Sequence, residues 1–412
     1  MSDPDRANAP TPTAQDAPTP MTGGSDAPER DTVHVGTMAL TDCASIVMAH
    51  ELGFDRKYGV TIVPHRESSW ANVRDKLVHG SLDMAQALYG MVYGIHLGVG
   101  TSAVDMAVLM TLNRNGQGLS LARPLAEKGA TDLASLCALM RREPRAYTFA
   151  QTFPTGTHAM WLNYWLASGG IDPLTEIRSI VVPPAQMVGY VRKGSIDGFS
   201  AGEPWNHVGI MEGVSVHAAA SQDVWPDHPE KVLATRGDFA RRYPNTARAV
   251  IMAVLEASRW IDANAGNRMR MAATIAGSAY VNVPVDVIRE RILGRYQDGL
   301  GRQWQDTRPM RFFDDGQVNF PYLSDGMWFL TQFKRWGLLR AHPDYQATAR
   351  AINQTALYRQ AASQLGVSAP EGDMRTSRLI DGVVWDGTDP ARYADGFAVQ
   401  ARPRHAPEPV TP

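Results

Sequence analysis

From Thr32 to Ala234, short apolar runs alternate with segments of helical periodicity, and this alternation is the strongest constraint on the fold. Strand-length runs separated by helix-length segments predict parallel sheets with crossover helices. The first block reads as strand Thr32–Leu40, polar turn Thr41-Asp42-Cys43, helix Ala44–Leu52, strand Gly59–Val63, helix Asn72–His79, strand Asp83–Ala87, helix Tyr89–Leu97 and strand Ala107–Thr111. The second block runs through strand Tyr147–Phe149, the turn Pro154-Thr155-Gly156-Thr157, helix His158–Ser168, strand Ile177–Val182, helix Ala185–Arg192 and strand Ile196–Ser200. Lys231–Ala234 then leads back to the first block, and Thr246–Trp260 forms a long amphipathic helix. Two α/β lobes explain this order better than a repeat array, because the motifs are unevenly spaced.

At 412 residues the chain is too long for one ordinary core. The predicted division is a disordered leader over 1–31, a first lobe from 32–112 and 232–265, a second lobe over 113–231, a C-terminal extension over 266–400 and a disordered tail over 401–412. The first thirty residues contain six Pro and no Leu, Ile, Val or Phe, and the tail carries Pro403, Pro407, Pro409 and Pro412. The extension is largely helical, with an aromatic stretch from Phe312 to Trp336 that either covers the lobes or meets a partner.

No 18-residue apolar run is present, which argues against a membrane-spanning helix. Forty Lys and Arg against 42 Asp and Glu leave no global basic field for nucleic acid, so no direct nucleic-acid binding is expected. Cys43 and Cys137 alone support neither a disulfide framework nor a cysteine-rich metal site. Phosphate loops, metal-binding HExxH helices and nucleophile elbows are missing, so no catalytic, cofactor or metal residue is assigned.

Several segments instead suit a small anion. Trp70, at a strand end after Glu67-Ser68-Ser69, either packs at the lobe surface or walls a pocket and donates its indole N–H. Asn113-Arg114-Asn115-Gly116-Gln117-Gly118 reads as a turn after a strand, with Gln117 placed to offer an amide donor. In Thr152-Phe153-Pro154-Thr155-Gly156-Thr157-His158 a turn precedes a helix, so free N–H groups and the hydroxyl of Thr155 or Thr157 can face an anion. His158 can donate a ring proton while neutral, since a helix start disfavours imidazolium; the alternative is a helix cap beside a packed histidine. Glu203, in Gly202-Glu203-Pro204-Trp205, would repel an anion if it pointed inward and is expected to be paired or hydrogen-bonded. Lys231 precedes a strand whose end can direct one cation into a cleft. A monovalent oxyanion needs such a cation plus fixed neutral donors, because an enclosed unpaired charge is destabilising by several kcal/mol.

Taken in order, Leu40-Thr41-Asp42, Ser69-Trp70 with Arg74-Asp75, Leu112-Asn113-Arg114-Asn115-Gly116-Gln117-Gly118, Thr152-Phe153-Pro154 with Thr157-His158 and Trp161, and Gly202-Glu203-Pro204-Trp205 resemble the nitrate/nitrite-binding family related to ABC-transporter solute-binding proteins. The resemblance spans roughly residues 32–390. It implies an α/β, two-lobed type II periplasmic-binding-protein-like fold with a helical C-terminal extension, the ligand between the lobes, no cofactor and no enzymatic activity. It places the nitrate contacts at Trp70, Gln117, His158 and Lys231, with Thr41, Asp42, Thr155, Gly156, Thr157 and Glu203 as supporting positions. Related bicarbonate binders carry an acidic residue at the position of Lys231, so lysine favours nitrate or nitrite.

The leader has neither the basic start nor the apolar core of a secretory signal, and no lipobox. The chain is thereby similar to a cytoplasmic, NasS-type sensor branch of the family. That branch implies regulation: the ligand-free sensor sequesters a NasT-type RNA-binding antiterminator, and nitrate or nitrite releases it. An extracytoplasmic nitrate-binding component of an ABC transporter is the alternative, and a binder of alkanesulfonate or another small organic anion is a further one.

Overall fold

Two five-stranded sheets, one in each lobe, organise the computed structural model, which describes residues 26–401. The first lobe contains β1 (Thr32–Met38), β2 (Thr61–Glu67), β3 (Met84–Leu88) and β4 (Met106–Thr111). The second contains β5 (Gln117–Ala122), β6 (Tyr147–Gln151), β7 (Ile177–Val181), β8 (Gly198–Gly202) and β9 (Ser215–Ala220), after which β10 (Lys231–Arg236) rejoins the first. The strand orders are β2-β1-β3-β10-β4 and β7-β6-β8-β5-β9. Every residue of β3 and β4 is buried, as expected where both faces of a sheet are covered.

The sheets are mixed, where alternation alone predicts parallel ones. β1 runs parallel to β2 and β3, whereas β10 is antiparallel to both β3 and β4. Lys231 pairs with Leu88, so β10 enters at the carboxyl ends of the parallel strands and has to run back. β5 does the same in the second lobe, where Gln117 pairs with Gly202. Gln117 and Gly118 therefore open a strand and do not merely close a turn. Left-handed φ angles at Asn115 and Gly116, 59° and 82°, bend the chain into it.

The two crossings between lobes, 112–116 and 228–231, hydrogen-bond to each other. Leu112 N–H donates to the Lys231 carbonyl at 2.7 Å and Glu230 N–H to that of Asn113 at 3.2 Å. Both crossings lie at the carboxyl ends of the parallel strands, the crevice where α/β sheets receive ligands.

The extension binds the lobes together. Helix Leu323–Arg335 lies against Tyr89–His96 of the first lobe and Thr157–Ser168 of the second. Trp328 stands 5.1 Å from Trp161 and 5.9 Å from Tyr164 between ring centroids, and Phe329 5.4 Å from Tyr89. The aromatic stretch thus covers the lobes and makes their apolar cores continuous.

Residues 26–31, grouped with the disordered leader on composition, are tied to the first lobe by hydrogen bonds and an ion pair. Glu29 accepts from the N–H groups of Asn245 and Thr246 at 3.0 and 2.8 Å, and Arg30 pairs with Asp83 at 3.1 Å. A helix start leaves such donors open, and a carboxylate suits them electrostatically. The remainder of the expected leader, 1–25, and residues 402–412 of the expected tail lie outside the described residues.

Candidate functional site

Each lobe presents the first residues of regular elements to the crevice. From the first lobe come the short helical turn Thr41–Cys43 after β1, Trp70 opening helix Trp70–His79, and Lys231 opening β10. Ser69 fixes the helix start, its hydroxyl accepting from Asn72 N–H at 3.2 Å. From the second lobe come Gln117 opening β5 and the turn 152–156 leading into helix Thr157–Ser168. Trp70, Gln117, His158, Lys231 and Asp42 all have 1% exposure or less.

Lys231 is the centre of the arrangement. Its ammonium donates to Asp42 Oδ2 at 3.0 Å and to Glu230 Oε1 at 2.6 Å, and lies 5.6 Å from the Trp70 ring centroid. Burial alone would lower the Lys231 pKa, but Asp42 and Glu230 outweigh it and hold it raised. Glu230 also accepts from Thr157 Oγ1 at 2.7 Å and Trp161 Nε1 at 3.1 Å. Burial opposes its ionisation, yet Lys231, His158 and His228 pull its pKa down to about 2. Asp42 accepts from Gln117 Nε2 at 3.2 Å on the oxygen that faces Lys231, and from Gln86 on the other. Its pKa is raised, first by burial and further by Glu230, with Lys231 and Gln117 opposing.

Gln117 ties the carboxylate to the histidine. Because the carboxylate of Asp42 accepts only, the Gln117 amide turns its nitrogen there and its oxygen to His158 Nε2 at 3.2 Å. His158 therefore carries its proton on Nε2 and accepts from Thr152 Oγ1 on Nδ1 at 2.8 Å. Burial pushes the His158 pKa down to about 3 and that of His228 to about 4, so both rings are neutral near pH 7. The indole N–H of Trp70 and the hydroxyls of Thr41 and Thr155 are buried without a hydrogen-bond partner.

The crevice thus gathers Trp70, Gln117, His158, Lys231 and Asp42, and Thr157 reaches it through Glu230. Gly156 lies beneath Leu88, where an added Cβ would come within 2.5 Å of Leu88 Cδ1. The Thr155 side chain instead fills the space over Gly94. Glu203 turns its carboxylate away, accepting from His207 N–H at 3.1 Å and facing Arg291 at 3.4 Å, while its carbonyl accepts from Thr41 N–H at 2.8 Å. Glu230, Gln86 and His228 are the polar neighbours that motif reading overlooks. Glu230 sits just before β10, so strand alternation cannot show that it points to the same place as Lys231. Among the described residues no cluster of His, Cys, Asp and Glu could hold a metal ion, and no helix is long and apolar enough to cross a membrane.

The nitrate/nitrite binding protein NrtA of Synechocystis is 37% identical over 397 residues, covering 93% of this chain and 88% of its own. The crystal structure of the periplasmic nitrate-binding protein NrtA from Synechocystis superposes with a TM-score of 0.86 at 36% identity, over 90% of this chain and 99% of that one. The nitrate import ATP-binding protein NrtC of Synechocystis is 33% identical over 91% of this chain and 56% of its own length. These relatives overturn the expected cytoplasmic location, the sensor function and the antiterminator partner: they are binding and import proteins, and one is periplasmic. The sensor expectation rested on leader composition, which carries no information about the crevice or about what docks on the lobes. The fold is the two-lobed α/β periplasmic-binding-protein fold with a helical C-terminal portion, and the chain is not an enzyme. The NMT1-like family matches residues 26–276, and the chain belongs to that family.

Proposed function

We propose that the chain binds nitrate or nitrite between its lobes as the extracytoplasmic solute-binding component of an ABC importer. The observation that carries this reading is the fully buried Lys231 ammonium beside the unpartnered indole N–H of Trp70, with Gln117 and His158 at the same crevice. A planar monoanion that carries no proton asks only for donors. Lys231 Nζ, Gln117 Nε2, His158 Nε2–H and Trp70 Nε1–H are all donors. A sulfonate would also need room for its organic tail. The names of the relatives support the same ligand and the same transport role.

Calorimetric titration with nitrate, nitrite, bicarbonate and taurine tests the ligand. Nitrate or nitrite should bind and the other two should bind far more weakly; preference for taurine or bicarbonate would reject the assignment. Lys231→Glu should weaken nitrate binding by roughly 100-fold or more, the scale of about 3–5 kcal/mol for removing one partner of a buried charge pair. Near-native affinity in a folded Lys231→Glu protein would remove the lysine from the site.

A further inference from the structure

As the crevice stands, its charges do not suit an anion. Lys231 meets two carboxyl groups there, Asp42 and Glu230, and none of the three has exposed side-chain surface. Gln86 and Lys231 donate to the two oxygens of Asp42, the hydrogen-bond pattern of a carboxylate. His158 and His228, which face Glu230 at 3.6 and 3.8 Å, are neutral. The cluster therefore carries one net negative charge, and a nitrate would bring a second into a place without water. A second buried, uncompensated charge is opposed by several kcal/mol.

Asp42 also holds the donors that the anion needs. Its Oδ2 accepts from both Lys231 Nζ and Gln117 Nε2, as one oxygen of nitrate or nitrite would. Glu230 does not hold Gln117; its donors are Lys231, Thr157 and Trp161. Asp42 belongs to the first lobe and Gln117 to the second, so their hydrogen bond is one of those that bridge the crevice.

We infer that Asp42 is an internal stand-in for the ligand: the entering anion takes over Lys231 and Gln117, and Asp42 takes up one proton from solvent as it releases them. The inference rests on the reading of the crevice as a nitrate/nitrite site. The balance is one carboxylate plus one proton plus one anion giving one carboxylic acid beside one anion, so net charge is conserved at minus one. Lys231 and Gln117 are also what hold the Asp42 pKa down, whereas burial and Glu230 push it up, so losing those two partners favours protonation. The other groups facing Asp42 do not take its role. Gln86 does not titrate, burial and Asp42 itself keep the Cys43 thiol protonated, and Glu203 faces Arg291. Once protonated, Asp42 is a donor too, and the crevice offers donors on every side.

Titration of the full chain with sodium nitrate, in buffers of different ionisation enthalpy and at several pH values, reads the proton directly. About one proton should be taken up per nitrate near pH 7–8, with apparent affinity falling up to about tenfold for each unit that the pH rises. Asp42→Asn should bind nitrate without proton uptake, with a flat pH profile and roughly tenfold or greater gain in affinity at pH 8. Nitrate binding by the wild type with no proton uptake overturns the inference and leaves the proposed function standing. Uptake that persists in a folded Asp42→Asn protein, as judged by its circular dichroism and melting, moves the proton elsewhere and also overturns it. Failure of the wild type to bind nitrate rejects the site reading, and the inference with it. Should Asp42→Asn not fold, the wild-type proton count decides alone.

Discussion

Gly90 and Gly94 set how closely the lobes approach. Both lie on helix Tyr89–His96 of the first lobe, facing Thr155 of the second. A Cβ at Gly90 would come within 2.2 Å of the Thr155 carbonyl oxygen, and one at Gly94 within 2.7 Å of its hydroxyl. The carbonyl is backbone and cannot swing aside, so Gly90→Ala has to push away the turn that carries His158. Overpacking of this kind opposes the close-packed state by about 1–3 kcal/mol, while alanine is favoured over glycine within a helix by roughly 1 kcal/mol. Gly90→Ala should therefore weaken nitrate binding roughly tenfold or more and keep helix content and cooperative melting. Unchanged affinity by calorimetry would show that binding does not require this approach. At this scale sequence reading locates side chains that sit at the start of a regular element. Trp70, Gln117, His158 and Lys231 all do, and the structure brings them to one crevice. It fails for Glu230 and for the charge balance, because which carboxylate shares which ammonium is settled by tertiary contact.

Among elements, strands with a continuous apolar run are legible and those without one are not. β4 reads Met-Ala-Val-Leu-Met-Thr and announces itself, whereas β9 is Ser-Val-His-Ala-Ala-Ala, with little of the β-branched or aromatic enrichment that marks a strand. Strand direction is equally hidden, since β10 is antiparallel only because the chain re-enters from the crossing side. The aromatic stretch could be located but not assigned, because an apolar helix face looks the same whether it meets a core or a partner. The structure assigns it to the core: Trp328 is fully buried between Trp161, Trp225 and Tyr164, with ring centroids at 5.1, 4.8 and 5.9 Å. Trp328→Ala should lower unfolding free energy by about 3–5 kcal/mol, measured by chemical denaturation. A loss below about 1 kcal/mol would mean that helix Leu323–Arg335 adds little to holding the lobes together.

Taken whole, the molecule carries almost no net charge, minus two from 40 basic and 42 acidic residues, and it hides its one proposed cation completely. A field that steers an anion over several ångströms needs an excess of positive charge near the mouth of a cleft, and such steering is lost as salt shortens the screening length. Here the proposed ligand donors have 1% exposure or less, so an anion reaches them only after the lobes part. Parting is resisted by the Asp42–Gln117 hydrogen bond across the crevice and by helix Leu323–Arg335, which packs on both lobes. Entry should accordingly be limited by opening and not by diffusion. In stopped-flow experiments that follow intrinsic tryptophan fluorescence, nitrate association should fall well below about 10⁸ M⁻¹s⁻¹, the floor of steered encounters. Its rate should also change less than about threefold between 10 and 150 mM of a non-competing salt, and should level off at high nitrate as opening becomes limiting. A rate that approaches the diffusion limit and drops steeply with salt would contradict both halves of this argument. It would place an accessible positive field at the crevice, where the structure has a closed one that sets a single ammonium between two carboxylates.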